Sequence, residues 1–303
     1  MNTRVVAVVL AVVGALVAAG AALGVQEEIP SSYDTLVLEA EGGAEFDVTQ
    51  PPDQYNDDCA LGDLGGPVAE DLGYSPATDT RSDDGYSDAF DGGLVLWVRS
   101  KSGRTVFEDS NQMGLLRDAN FLKTGPEKLR GLTVTRTEQT LQVAPALRSL
   151  IKLKNPKRKP VSRTIIWDSD LGADESEVVL ASATADKQLS AADRWMVFGD
   201  DEESPGDNVG TFVLYGKRAA KETGVFNPVT DQDSCVSFRI QVRVPAKSSR
   251  YVLFFTETHD PDEEGVAAAR QDAKRYNDRN LGRVELKGIR AGVRKKILNW
   301  DLG

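Results

Sequence analysis

Apolar and polar residues alternate along most of the chain. The alternation is clearest in "VSFRIQVRVP" (236–245), where Val236, Phe238, Ile240, Val242 and Val244 share one face and Ser237, Arg239, Gln241 and Arg243 share the other. Successive strand side chains point to opposite faces, so this pattern predicts a strand with one face in a core and one in solvent. The same period, rich in Val, Ile, Phe, Tyr and Thr, recurs at 35–41, 94–100, 131–138, 150–155, 161–168, 177–183, 194–199, 210–216 and 250–258. Weaker runs at 46–49, 104–107 and 139–144 bring the strands to about a dozen. No helical pattern separates them. Parallel crossovers are thereby excluded, and the prediction is an all-β fold, an antiparallel β-sandwich.

Helical spacing arrives only near the end. Asp260, Pro261 and Glu263 suit an N-cap, a first turn and a capping box, and Val266, Ala269, Ala273 and Tyr276 form an apolar stripe behind them. Ile289, Val293, Ile297 and Trp300 predict a second helix over 287–300. The expected organisation is a sandwich core over 94–258 with a C-terminal helical segment, 259–303, packed on it. Residues 50–93, dense in Asp, Gly, Pro and Tyr, keep no period. Residues 25–93 therefore read as an acidic N-terminal region with one or two strands and a long loop.

Charge and the N-terminus add a location. Arg4 precedes an apolar run from Val5 to Gly24 that ends in Ala and Gly, as a signal peptide does over 1–24; an uncleaved anchor is the alternative. Both place the rest of the chain outside the cytoplasm, secreted or at the cell surface, with membrane contact only through an uncleaved N-terminal segment. The net charge of −11 argues against nucleic acid as a partner. The charge is uneven: Gln26–Gly93 holds eighteen acids and one Arg, whereas Ala144–Trp167 holds seven cations and no acid. That basic run reads either as a polyanion patch or, preferably, as the complement of the acidic N-terminal region. Cys59 and Cys235 are the only cysteines, and in an oxidising compartment they are expected to pair.

Several chemistries lack their residues. One histidine, His259, would have to serve any Ser-His or Cys-His mechanism, and it reads as an exposed loop residue. There is no H-E-x-x-H, C-x-x-C, Walker loop or G-x-G-x-x-G. The acidic stretch "IIWDSDLGADESE" (165–177) invites a calcium reading, but an EF-type loop begun at Asp168 would put Gly172 at position 5 and Val179 where the closing acid belongs. A looser metal site at Asp168, Asp170 and Asp174 remains, with calcium as the one cofactor considered. The preferred reading is a hairpin whose acidic turn joins 161–168 to 177–183. Trp97, Trp167 and Trp195 each lie in apolar strands and are expected in the core; a sugar-binding reading would instead expose one beside Asp200 and Asp201.

The run "RTIIWDSDLGADESEVVLASATADKQLSAADRWMVFGDD", with "AFDGGLVLWV" before it and "VRVPAKSSRYVLFF" and "ILNWDLG" after it, resembles exported bacterial β-rich domains of uncharacterised function. Their shared features are a D-L-G-S-D-like turn, A-D-R-W and a terminal N-W-D. The resemblance covers about residues 89–303 and departs in the acidic N-terminal stretch. It implies a two-sheet module of the supersandwich type found beside carbohydrate-active domains and carries over no catalytic residue.

Three functions follow as expectations. The leading one is an exported, non-enzymatic β-sandwich module for binding or cell-surface structure, with a carbohydrate or other cell-surface component as its partner. The second is a carbohydrate-binding or carbohydrate-active protein using acids and an exposed Trp. The third is a calcium-stabilised adhesin.

Overall fold

The computed structural model describes residues 27–28, 35–40, 44–49, 77–81, 89, 91–107, 114–116, 121–171, 177–186, 189–190, 192–200, 209–217, 219, 224–226, 235–278 and 281–302. The signal segment, Cys59 and Asp174 lie outside them. The strands begin with β1 (Glu27–Glu28), β2 (Thr35–Glu39), β3 (Glu45–Thr49), β4 (Ala77–Arg81), β5 (Asp91–Gly93) and β6 (Val95–Ser100). Next come β7 (Gly103–Val106), β8 (Gly114–Leu116), β9 (Phe121–Leu129), β10 (Leu132–Thr140), β11 (Ala146–Lys154) and β12 (Val161–Asp170). The last are β13 (Glu177–Ser182), β14 (Trp195–Asp200), β15 (Val209–Val213), β16 (Gly224–Phe226), β17 (Cys235–Val244) and β18 (Ser249–His259). Two helices follow, α1 (Glu263–Asp278) and the single turn α2 (Ala291–Arg294).

The fold is an antiparallel β-sandwich with C-terminal helices, as the alternation predicts. A nine-stranded sheet (β1-β8-β9-β10-β11-β18-β15-β14-β13) packs on a five-stranded sheet (β16-β17-β12-β6-β7). A smaller sheet, β2-β3-β4-β5, adds Leu38 and Phe46 to the same core. The five apolar residues of β17 point into that core, each at most 2% exposed. Phe198, Phe212 and Phe238 continue it, with Phe212 set edge-on to Phe238 at 4.7 Å. The other face of the large sheet is covered by α1 and the C-terminal segment, through Phe255, Ala269, Ala273, Tyr276, Ile297 and Trp300.

Four expectations are corrected. The stretch 165–177 is not a hairpin: β12 pairs with β17 and β6 in the small sheet, whereas β13 pairs with β14 at the edge of the large one. Alternation marks a strand but not its partner. Among its described residues the region 25–93 holds five strands rather than one or two, because short polar strands such as "ATDTR" lack apolar alternation. The helix cap is Asp262, whose Oδ1 accepts the Gly265 N–H at 2.7 Å; β18 runs on to His259, which moves the first turn past Asp260.

The fourth is the helix expected over 287–300, which shrinks to one turn. Ile289, Ile297 and Trp300 are buried all the same and Val293 half-buried, but the segment leaves the helix to dock on β18. Leu298 N–H donates to Tyr251 C=O at 2.9 Å and Tyr251 N–H to Lys296 C=O at 3.0 Å. Asn299, fully buried, donates Nδ2 to Leu214 C=O and Leu253 C=O, both at 2.6 Å, and accepts Leu253 N–H at 3.0 Å. The side-chain amide thus takes a neighbouring strand's place beyond the point where β15 stops pairing with β18.

Candidate functional site

Of the acids expected to hold a metal, Asp168 alone has its side chain among the described residues. Asp168 lies inside β12, 2% exposed, and accepts the Ser237 hydroxyl at 2.6 Å. Burial pushes its carboxyl up to about 6, against the pull of Ser237, Arg104 and Arg239. Two guanidinium groups beside one carboxylate disfavour a cation there. Asp170 ends the same strand opposite Cys235, which opens β17.

All four tryptophans are buried: Trp97, Trp167, Trp195 and Trp300 are 2–6% exposed. None can serve as an exposed sugar platform, which corrects that expectation. Trp167 packs at 5.1 Å from Phe254 and lies under the Arg136 guanidinium, 5.0 Å from its ring. The A-D-R-W aspartate is structural too. Asp193 accepts four hydrogen bonds, from the N–H and hydroxyl of both Thr184 and Ser190 (2.7–3.0 Å). Burial opposes its ionisation, but these bonds outweigh it and hold the carboxyl below its usual range.

A polar cluster that sequence reading missed lies between β18 and α1. Glu257 and His259 share a strand face at i, i+2, and Asp272 and Tyr276 share a helix face at i, i+4. Glu257 is fully buried, and its Oε2 is 3.6 Å from His259 Nε2. One ligand atom each from Glu257, His259 and Asp272 falls within 4.8 Å of the others. Burial pushes the Glu257 carboxyl up, and Asp272 adds to the shift against His259 and Tyr276. Arg275 Nη2 stands 3.3 Å from Asp272 Oδ1 at the rim. The alternation of "FFTETH" with the helical pair "DAKRY" carried the signal, but His259 read as an exposed loop residue once the strand was ended at Thr258.

A second feature is a basic end. The β6–β7, β9–β10, β11–β12 and β17–β18 turns lie side by side, because Thr164 pairs with Arg99, Val161 with Val244, Thr133 with Lys154 and Lys154 with Ser249. Asn155 binds them together, donating Nδ2 to Lys159, Val244 and Pro245 carbonyls at 2.9–3.1 Å. Arg163 donates to Arg130 C=O at 2.6 Å, and Arg130 donates to Arg104 C=O at 2.5 Å, bridging the sheets. Residues 99–104, 127–131, 154–163 and 243–248 carry twelve Lys or Arg and one acid, Glu127. Lys154, Lys157, Arg158, Lys159 and Lys247 are exposed. Arg148, by contrast, is buried and donates to Glu285 and Lys287 carbonyls at 2.6 and 2.9 Å; burial, then Arg294, draws its pKa down to about 10. Of the basic run seen in sequence, this part serves internal packing.

No protein-family model matches the chain, and no curated protein sequence matches it. Among solved structures it is similar to a polysaccharide lyase, with 10% identity, a TM-score of 0.37, and coverage of 67% of this chain and 32% of that one. The Slr1438 protein of Synechocystis sp. PCC 6803 is similar at 9% identity and TM-score 0.42, covering 76% and 98%. A galactose mutarotase related enzyme from Lactobacillus acidophilus is similar at 8% identity and TM-score 0.32, covering 76% and 98%. The chain thus spans about a third of the lyase's length.

Proposed function

We propose that the chain is an exported, non-enzymatic β-sandwich module that binds an anionic cell-surface polymer, an acidic polysaccharide, through its basic end. The observation that carries this reading is the convergence of four turns, separated by up to about 150 residues in sequence, into one end that carries twelve cations, eight of them exposed, on a chain of net charge −11. The acidic remainder of the molecule repels a polyanion and the basic end attracts it, so the field orients the encounter. The apolar leader supports an extracytoplasmic site of action, where such polymers lie. Asn155 and the Arg163–Arg130–Arg104 chain fix the turn backbones, so little ordering is lost on binding.

The test is titration of the protein with polygalacturonate, with a neutral glucan as control. Saturable binding that weakens with salt is expected, and the triple variant Lys157→Glu, Arg158→Glu, Lys159→Glu should bind at least about ten-fold more weakly. Equal binding of both polymers, or unchanged binding by the variant, overturns the reading.

A further inference from the structure

We propose that Glu257, His259 and Asp272 form a site for one divalent metal ion of the zinc class. Burial with incomplete hydrogen bonding is the first argument. Both Glu257 carboxylate oxygens, His259 Nε2, Tyr276 Oη and Thr211 Oγ1 are shielded from solvent, and no hydrogen bond of good geometry joins any of them to a described residue, although His259 and Tyr276 stand close enough to Glu257 to pull its carboxyl down. Thr211 is the cross-strand neighbour of Glu257 in β15, so these atoms lie around one spot under α1. Buried polar atoms are nearly always paired, and a cluster of them left open marks the place of a bound group.

Distance is the second argument. At 3.6 Å, Glu257 Oε2 and His259 Nε2 are too far apart for a good hydrogen bond. Two ligands held at about 2.0–2.2 Å by one tetrahedral ion stand about 3.4 Å apart, close to the observed separation. The three ligand atoms lie within 4.8 Å of one another, so small side-chain rotations bring Asp272 to the same ion.

Ligand chemistry selects the metal. An imidazole with two carboxylates suits zinc and its transition-metal neighbours, whereas calcium takes six to eight oxygens. Three protein ligands leave a fourth position for water. The Asp272 side chain is 21% exposed, which opens a path from the helix surface. Arg275 balances the Asp272 carboxylate at the rim.

The experiment uses the full chain, stripped with a chelator and titrated calorimetrically with zinc chloride and, in parallel, with calcium chloride. One zinc per chain with micromolar or tighter affinity, a raised melting temperature and a visible absorption band with cobalt are expected. Asp272→Asn, at a partly exposed helix position, should retain the metal-free melting temperature while losing at least about ten-fold in zinc affinity; His259→Gln should also lose the cobalt band. Absence of stoichiometric zinc binding, calcium binding in its place, or parental affinity in both variants overturns the site. None of these readouts involves the basic end, so the two proposals fail separately.

Discussion

Asn299 satisfies both backbone groups of Leu253: its amide accepts the Leu253 N–H at 3.0 Å and donates to the Leu253 carbonyl at 2.6 Å. A side chain here performs the pairing of a strand. The same nitrogen reaches Leu214 C=O, so one residue joins β15 and β18 after their ladder ends. Trp300 Nε1 adds a bond to the same Leu253 carbonyl at 2.7 Å.

Asn299→Leu strands the Leu253 N–H away from water and takes one donor from the Leu214 carbonyl. A buried group left without its partner costs about 1–3 kcal/mol, so a loss of that size is expected in urea unfolding. Asn299→Asp, which keeps the acceptor and loses the donor, should also destabilise.

Arg136 and Glu138 form a buried ion pair in the core between the sheets. Arg136 Nη1 also holds the Leu94 carbonyl at 3.0 Å, and Ser149 donates to Glu138 at 3.3 Å. Glu138→Ala removes a buried counter-charge from the Arg136 guanidinium and should cost about 3–5 kcal/mol. The double change Arg136→Met, Glu138→Leu should cost clearly less than the single one, as measured by denaturant midpoints.

Asp168 predicts a pH signature. Its folded pKa of about 6 lies above the unfolded value near 4, so the native state binds the proton more tightly between those limits. Its contribution to stability falls as pH rises from about 4 to about 6 and is level above, an effect of about 3 kcal/mol. Asp168→Asn should remove that slope: the variant gains on the parent as pH rises through this window.

Asp193 predicts the opposite sign. Its carboxyl is held below the usual range, so its stabilisation is complete above about pH 4 and fades as pH falls further. Asp193→Asn loses acceptors for the Ser190 N–H and hydroxyl and should destabilise by about 1–3 kcal/mol at neutral pH, with the gap to the parent closing in acid.

The strands were legible wherever one face is apolar. Val236 through Val244 alternate without a break, and all five core positions are where the period puts them. Partners were not legible. The residues of β12 and β13 look like two arms of a hairpin, and only long-range pairing sends them to different sheets. The basic end was half visible: the run 148–163 stood out, but Lys101, Lys128 and Lys247 join it through topology alone. His259 was misplaced because an apolar strand was ended where its polar tip continues. The role of Asn299 has no local signature, since an amide that replaces a strand looks in sequence like any buried or turn asparagine.

That amide also sets an order of events. Residues 297–300 follow all eighteen strands of the described residues along the chain, so each of those strands is synthesised before the side chain that locks β15 to β18 exists. A nascent chain lacking them has no amide to join those two strands past the end of their ladder.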